Sequence, residues 1–562
     1  MYCPECGYKI NEQDAIFCPE CGTKIAEDTQ DSAVKNNFYA SGIIFTDVKR
    51  LAAKLRTEEH TVHKLLEYYI GVKQSYGVSY SLVDTGNYVS DNIVTPPNPD
   101  SGISGYMDVL TDAYNRQADK REINYLFIIG GNDIIPMPRI PHYCIDVKDK
   151  TIDTDILYAF PYGKNMMPML QNAQIFRYQQ AFLVGRLPIG EDTTSEDFRN
   201  YLERAVKGAE GIPLTEAYGQ CDPNWKNVSA TVIDDLIAAN KLRNLDGYIS
   251  ADCYFRRLIL SPGITTENVN RVFHDKAHLY YYNLHGCNAL EARGWFGAHK
   301  GQKVSIPVLL PEHISSCRVP NIIVCEACYG ARFIGLDKRH SMLLSALYAQ
   351  ALLFLGSSRI AWGNVDPVSI TEYTPVLPVY ADTMALGFIS SILGGYSAGQ
   401  ALLIARDMVL NQEGDCEINP NTISTVTEFN LFGDPSLFAV TPEMFQDRPK
   451  TLDKSKGIMS GKAYDCKMEQ LDLSGNGNSI LNLVRKNVDK NISQIRNSIN
   501  SHLYEYYGIE PRNPDSVFKV KYADGSKELR FNYDVLPGSE ISMTYIVRTT
   551  ENGKIKEVIM TK

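Results

Sequence analysis

Short apolar runs, each stopped by glycine or a polar side chain, recur through the middle of this 562-residue chain and limit what it can fold into. Tyr125 to Gly131, Ala181 to Gly185, Ala277 to Tyr282, Ile322 to Cys325 and Ala351 to Gly356 lack the alternation of a strand with one wet face. Runs of this length and make-up read as strands buried on both sides. Between them lie segments at helical spacing. Leu51, Leu55, Val62, Leu65, Leu66 and Tyr69 mark one, and Ser229 to Leu242, Ser341 to Gln350 and Tyr380 to Ile392 mark others. Strands alternating with helices predict an α/β fold, an open and mostly parallel sheet flanked by helices. In such sheets chemistry gathers where loops leave the carboxyl ends of the strands.

The chain is too long for one compact core, and its composition shifts divide it. Residues 1–25 are expected to form a self-contained unit, 26–37 a polar linker, 38–442 the α/β region and 443–478 a second linker rich in Lys, Gly and Ser. Within 479–562, Ile480, Leu481, Val484, Val488, Ile492, Ile495, Ile499 and Leu503 line one face of a long helix. Strand-like runs follow at Val517 to Tyr522, Leu529 to Tyr533, Ile541 to Val547 and Ile555 to Met560. They are separated by Asp524-Gly525, Pro537-Gly538 and Asn552-Gly553, which are hairpin signals. A small α+β accessory domain is the expectation there.

Cys3-Pro4-Glu5-Cys6-Gly7 and Cys18-Pro19-Glu20-Cys21-Gly22 repeat one knuckle, in which glycine permits the turn that aims both thiolates at one ion. Cys3, Cys6, Cys18 and Cys21 together close a tetrahedral site, so a structural zinc is expected and no catalytic cofactor. The net charge of -10, without a basic stripe, argues against nucleic acid as a partner. The amino terminus lacks the basic and apolar regions of a secretory signal, and no apolar run is long enough to span a bilayer. With four cysteines in a metal site and nine scattered, a reducing, cytoplasmic setting without a membrane partner is expected.

Two of the strand-like runs empty into reactive side chains. Leu279 to Tyr282 leads to His285-Gly286, and Ile322 to Cys325 leads to Cys328-Tyr329-Gly330. A cysteine nucleophile needs an imidazole beside it and backbone N–H groups for the oxyanion, and a glycine after the histidine lets bare backbone come close. A plainer reading stays open, with His285 capping a turn and Cys328 a small apolar residue beside the core.

Segments in the same order along the chain resemble the gingipain (C25) family of cysteine peptidases, caspase-like relatives of legumain and separase. Tyr281 to Gly286 with Trp295 resembles the family's histidine block, and Ile322 to Phe333 its cysteine block. Phe182 to Pro188 resembles its Gly-Arg strand, and Asn430-Leu431-Phe432-Gly433-Asp434-Pro435-Ser436-Leu437 its terminal signature. The resemblance spans about Asn124 to Val440 and implies a caspase-like peptidase cutting protein substrates through a thioacyl-enzyme. Cys328 is then the nucleophile, His285 the general acid/base, and the amides of Gly286 and Cys328 the oxyanion donors. Leu284 departs from the glycine usual before the histidine pair.

The same resemblance makes Gly356 to Asn364 the wall of the primary pocket, with Trp362 lining it and Asp222 offered as a carboxylate for a basic substrate residue. A solvated turn aspartate and a core tryptophan are the plain alternatives. Two rival expectations accompany the peptidase reading: a silent caspase-like scaffold, and a protease regulated by a protein partner through the ribbon or the carboxyl-terminal domain.

Overall fold

The computed structural model describes residues 39–117, 121, 123–144, 147–161, 180–214, 217–238, 258–271, 273–289, 293–298, 305–365, 376–412, 419–440, 467–470, 495–505, 507–521, 527–534 and 544–561. The cysteine knuckles and both expected linkers lie almost wholly outside these residues.

A ten-stranded sheet organises the α/β region. In chain order its strands are β1 (Ala40–Thr46), β2 (Val78–Asp84), β3 (Ile123–Ile129), β4 (Leu183–Leu187), β5 (Ala217–Cys221), β6 (Leu258–Leu260), β7 (Leu279–Asn283), β8 (Asn321–Cys325), β9 (Ala351–Ser357) and β10 (Phe429–Phe432). Their spatial order is β2-β1-β3-β4-β10-β9-β8-β7-β5-β6. Neighbours run parallel except at β9 and β10, which pair antiparallel through Phe354↔Phe432, Leu355↔Leu431, Gly356↔Asn430 and Ser357↔Phe429. The sheet is therefore two parallel blocks of opposite direction sharing one seam. Strands β1, β3, β7, β8 and β9 are buried along their whole length, which accounts for the apolar runs in all of them but β1. The edge strand β2 alternates instead, and its Ser79 and Ser81 break any apolar run.

Helices cover both faces. The single helix expected over 51–69 is two, because Asp47 caps Val48–Leu55 and Arg56 ends it in the left-handed region before Glu59–Ser75 begins. Ser195–Lys207 opens with a capping box at Thr194, and Ala381–Leu393 packs along Ala398–Asn411.

Two of the sequence motifs turn out to hold the seam. Arg186 on β4 is fully buried and bonds Asp155 through Nε at 2.7 Å and Nη2 at 2.6 Å, while Nη1 donates to the carbonyls of Gly130 and Ile135. Beyond β10, Gly433 takes φ +112°, and a Cβ there would lie 2.2 Å from the Leu352 carbonyl oxygen. The turn carries Asp434 into the core, where it accepts from the hydroxyls of Tyr69, Tyr80 (2.6 Å) and Ser436 (2.7 Å) and from the Ser436 amide (2.8 Å), with Lys73 Nζ at 3.5 Å.

The carboxyl-terminal segment forms a second sheet in which Ser516–Lys521, Lys527–Asp534, Thr544–Thr550 and Ile555–Thr561 follow one another antiparallel. Helical residues 495–505 bury Ile495, Ile499 and Leu503, as the spacing predicts. Of the expected strand at Ile541 to Val547, residues 541–543 lie outside the described residues, and the rest belongs to the strand Thr544–Thr550. This sheet does not stand apart: Trp362–Asn364, from the α/β region, is its edge strand and pairs antiparallel with Ile555–Thr561.

Asp434 yields a prediction with a definite sign. Burial alone would raise its pKa, but Lys73 and the tyrosine and serine hydroxyls outweigh burial and hold it below the ordinary 3.8. A depressed carboxyl contributes stability that is present above its unfolded value and is lost as pH falls through the folded one. Asp434→Asn leaves Lys73 buried without its counter-charge and should cost about 3–5 kcal/mol at pH 7 in denaturant unfolding. The same variant should show a shallower loss of stability on acidification below about pH 4 than the parent chain.

Candidate active site

Register brings four strand ends into one row. Asn283 faces Cys221, Tyr282 faces Cys325, and Cys325 faces Gly356, so the carboxyl ends of β5, β7, β8 and β9 open on the same edge. Asp222, His285, Cys328 and Ala361 leave that row within a few residues of each other. It is the place where an open parallel sheet gathers its loops.

The cysteine turn is tightly specified. Glu326 N–H donates to the Tyr282 carbonyl as β8 ends, and Gly330 N–H returns to the Ala327 carbonyl. Cys328 therefore stands at the head of a turn, followed by Tyr329 at φ +53°, a conformation unusual for a bulky side chain. Tyr329 N–H to the Arg359 carbonyl and Ala331 N–H to the Ser357 carbonyl clamp the turn onto the segment after β9. Cys328 is 2% exposed, and its Sγ accepts the Ala361 N–H at 3.2 Å and lies 3.6 Å from the Ala361 carbonyl oxygen.

His285 is fully buried, and its backbone forms a two-way bridge with Phe296 at 2.9 Å in each direction. Its ring packs against Trp225 with centroids 4.5 Å apart, and Nε2 lies 3.7 Å from Asp222 Oδ2. The carboxylate is itself fixed. Asp222 caps the short turn at Pro223–Trp225, with Oδ1 accepting from the Asn224 amide and side chain, and Oδ2 accepts from the Ala298 N–H at 2.5 Å. Leu284 is fully buried in the main core, so the residue that departs from the family pattern serves packing.

Gly286 meets Cys328 directly. A Cβ on Gly286 would stand 1.6 Å from the Cys328 carbonyl oxygen and 3.2 Å from its nitrogen, so the two main chains touch. The glycine is expected to make room for a substrate carbonyl; here it makes room for the backbone of Cys328 itself. Gly286, Cys287, Cys328, Tyr329 and Arg332 line a small cavity at this point.

The pocket candidates separate. Asp222 stands beside the imidazole, and its oxygens are taken up by the capped turn and the Ala298 amide. Trp362 is 1% exposed within the main core, and its indole N–H has no hydrogen-bond partner among the described residues. Its strand is anchored by Asp382, which accepts from the Asn364 N–H at 2.9 Å and from Asn283 Nδ2 at 3.3 Å. Burial and the nearby Glu326 and Asp382 push the Tyr281 hydroxyl well above its ordinary pKa, so it donates, bonding Glu326 at 2.7 Å. Sequence reasoning includes Ala361 in the pocket wall but misses its contact with the Cys328 thiol, which runs through the main chain and leaves no side-chain signature. It also missed Trp225, for which the Asp222-Pro223 turn start was the available signal.

The sequence model of peptidase family C25 matches residues 57–439, and that of a zinc-ribbon domain matches residues 2–25. The chain belongs to peptidase family C25. The caspase-like sheet is accordingly that of a cysteine peptidase family, preceded by a zinc-ribbon domain. Among solved structures, the C25 chain is similar to the Arg-specific cysteine proteinase gingipain R, at 12% identity over 94% of this chain and 92% of that one, with a TM-score of 0.46. The complex of Porphyromonas gingivalis RgpB pro- and mature domains is matched at 12% identity over 93% of each chain, TM-score 0.44. The Saccharomyces cerevisiae separase–securin complex is matched at 11% identity over 58% of this chain and 16% of that one, TM-score 0.29. No curated protein matches it.

The Gly286 contact can be tested directly. Gly286→Ala must push the histidine loop off the cysteine turn, and displacements of about 1 Å in such sites cost about 100-fold. Alkylation of Cys328 by a peptidyl acyloxymethyl ketone should slow by about that factor while the melting transition stays cooperative. An unchanged rate would show that the two loops are not held in contact.

Proposed function

We propose that the C25 chain is a cysteine endopeptidase in which Cys328 attacks the scissile carbonyl of a protein substrate and His285 serves as general acid/base. The observation that carries this reading is the common row of strand ends. It sets Asp222, His285 and Cys328 on three adjacent loops, with the Gly286 and Cys328 main chains in contact. Cys328 Sγ adds to the carbonyl carbon, and the Gly286 and Cys328 amides receive the oxyanion. His285 protonates the leaving amine, and water then releases the acyl group from the thioester. With Nε2 on the Asp222 side of the ring, we assign proton transfer to Nδ1, and Asp222 becomes a positioning residue that orients the imidazole. This replaces its expected place in the substrate pocket.

Trp362–Asn364 is the strand on which an extended substrate adds, through main-chain hydrogen bonds. Cys3, Cys6, Cys18 and Cys21 hold a structural zinc in the ribbon, with no part in the chemistry. We place the protein in a reducing compartment, the cytoplasm, where a thiol nucleophile and thiolate ligands both persist.

Hydrolysis of peptides ending in arginine, lysine or aspartate ahead of a fluorogenic amine measures both activity and preference. Cys328→Ala should abolish turnover. Asp222→Asn should lower kcat by about 10²–10⁴-fold with KM nearly unchanged and shift the pH profile, the pattern of a lost positioning charge. Turnover by Cys328→Ala equal to that of the parent chain would rule the mechanism out, and a Cys328 that resists alkylation in the parent and equally in a chain with the second sheet loosened would favour the scaffold.

A further inference from the structure

The strand Ile555–Thr561 lies where, on the reading above, a substrate belongs. Thr561 pairs with Trp362, Met560 with Gly363 and Ile559 with Asn364. The residue before Trp362 is Ala361, whose main chain holds Cys328 Sγ. The carboxyl end of the strand therefore points at the nucleophile. That is the direction in which the acyl half of a substrate reaches a cysteine whose target carbonyl closes its carboxyl side.

Side chains follow the pleat. Ile559 is buried with the main core, while Val558 and Met560 belong to the apolar cluster that holds Trp225, Phe296 and Val365. Trp225 and Phe296 are the residues that pack and bridge His285. Tyr545, on the next strand, has its hydroxyl pushed up by burial first, then by Tyr507 and the charge of Asp222. The second sheet thus lies over the histidine.

A polar latch holds the strand on its other flank. Tyr380 donates to Glu557 at 2.9 Å, Arg548 Nη1 reaches Glu557 at 2.6 Å and the Tyr380 oxygen at 2.8 Å, and Arg548 grips Glu528 at 3.1 and 3.0 Å. Tyr380 belongs to the α/β region and takes φ +49° ahead of the helix Ala381–Leu393.

We propose that Ile555–Thr561 is a tethered substrate analogue. It occupies the Trp362–Asn364 edge in the substrate's own direction, keeps the enzyme closed, and marks as substrates extended segments with an apolar side chain opposite Gly363, where Met560 sits. The proposal rests on the peptidase reading for what the edge binds.

The test uses the full chain and measures alkylation of Cys328 by a peptidyl acyloxymethyl ketone that carries methionine opposite Gly363. Tyr380→Phe removes the latch hydroxyl and Met560→Ser loosens the strand in its apolar cluster. A hydrogen bond to a charged group of this kind corresponds to a roughly tenfold or larger shift in opening. Both variants should therefore alkylate at least about tenfold faster than the parent, and a ketone with aspartate at that position should react at least about tenfold more slowly. In the parent chain, which carries no substitution to disturb its folding, covalent occupancy of Cys328 should raise amide hydrogen exchange across 559–561.

Alkylation unchanged or absent in both variants overturns the proposal. So does an occupied Cys328 beside a strand whose amides stay protected. Peptide hydrolysis is scored separately: faster alkylation with no hydrolysis in any chain sinks the peptidase reading and leaves the competition for the edge standing.

Discussion

The antiparallel seam between β9 and β10 is the constraint on which the other features depend. Two parallel blocks of opposite direction can share a sheet only if one pair of strands accepts the reversal, and here both partners are buried. Burial leaves no water to correct an imperfect fit, so the turn after β10 must be held by groups that satisfy one another. Asp434 does this with two tyrosines, a serine and Lys73, and Arg186 does the same one strand over with Asp155 and two carbonyls. Pairs of this kind add little net stability but penalise every alternative arrangement, since a partner left alone in the core is costly.

Because the seam fixes β9, it also fixes where the segment after β9 goes. That segment clamps the cysteine turn through Ser357 and Arg359 and parks the thiol on Ala361. Asp222 is governed from farther along the sheet, through the Ala298 N–H and the capped Pro223–Trp225 turn. The site is thus assembled from backbone geometry more than from side-chain pairs. His285, Cys328 and Asp222 share a neighbourhood because their strands share a register.

Much of this was legible in the sequence, for a physical reason. A strand buried on both faces must be apolar throughout, so β3, β4, β7, β8 and β9 announce themselves, while β1, which opens Ala-Ser-Gly, and β2, with serines on its exposed face, do not. His285 and Cys328 stand out as candidates because both follow such runs, and the register sets their loops side by side. Asp222 is a pocket candidate by sequence, while in the structure its carboxylate lies beside the imidazole, a difference spacing alone cannot reveal. The Gly-Arg and Gly-Asp-Pro-Ser segments were read as family marks, and the structure gives them a mechanical meaning. The pairing of Trp362 with Thr561 was out of reach, because two residues 199 positions apart meet only once both sheets exist.

On the proposal that substrate and the strand Ile555–Thr561 use one edge, the competition has a quantitative consequence. A segment on the same chain competes at an effective concentration in the millimolar range, whereas a free substrate is commonly micromolar. At equal intrinsic affinity the tethered strand then holds the edge roughly 10³ times more often than the substrate does. Better substrate contacts alone recover this slowly, since each tenfold costs about 1.4 kcal/mol of added binding. Weakening the tether acts on every substrate at once, and the latch is where the α/β region, through the Tyr380 hydroxyl, meets the charges of Arg548 and Glu557 in the second sheet. Control of an enzyme built this way therefore belongs at the interface of its two sheets, and selectivity at the edge they share.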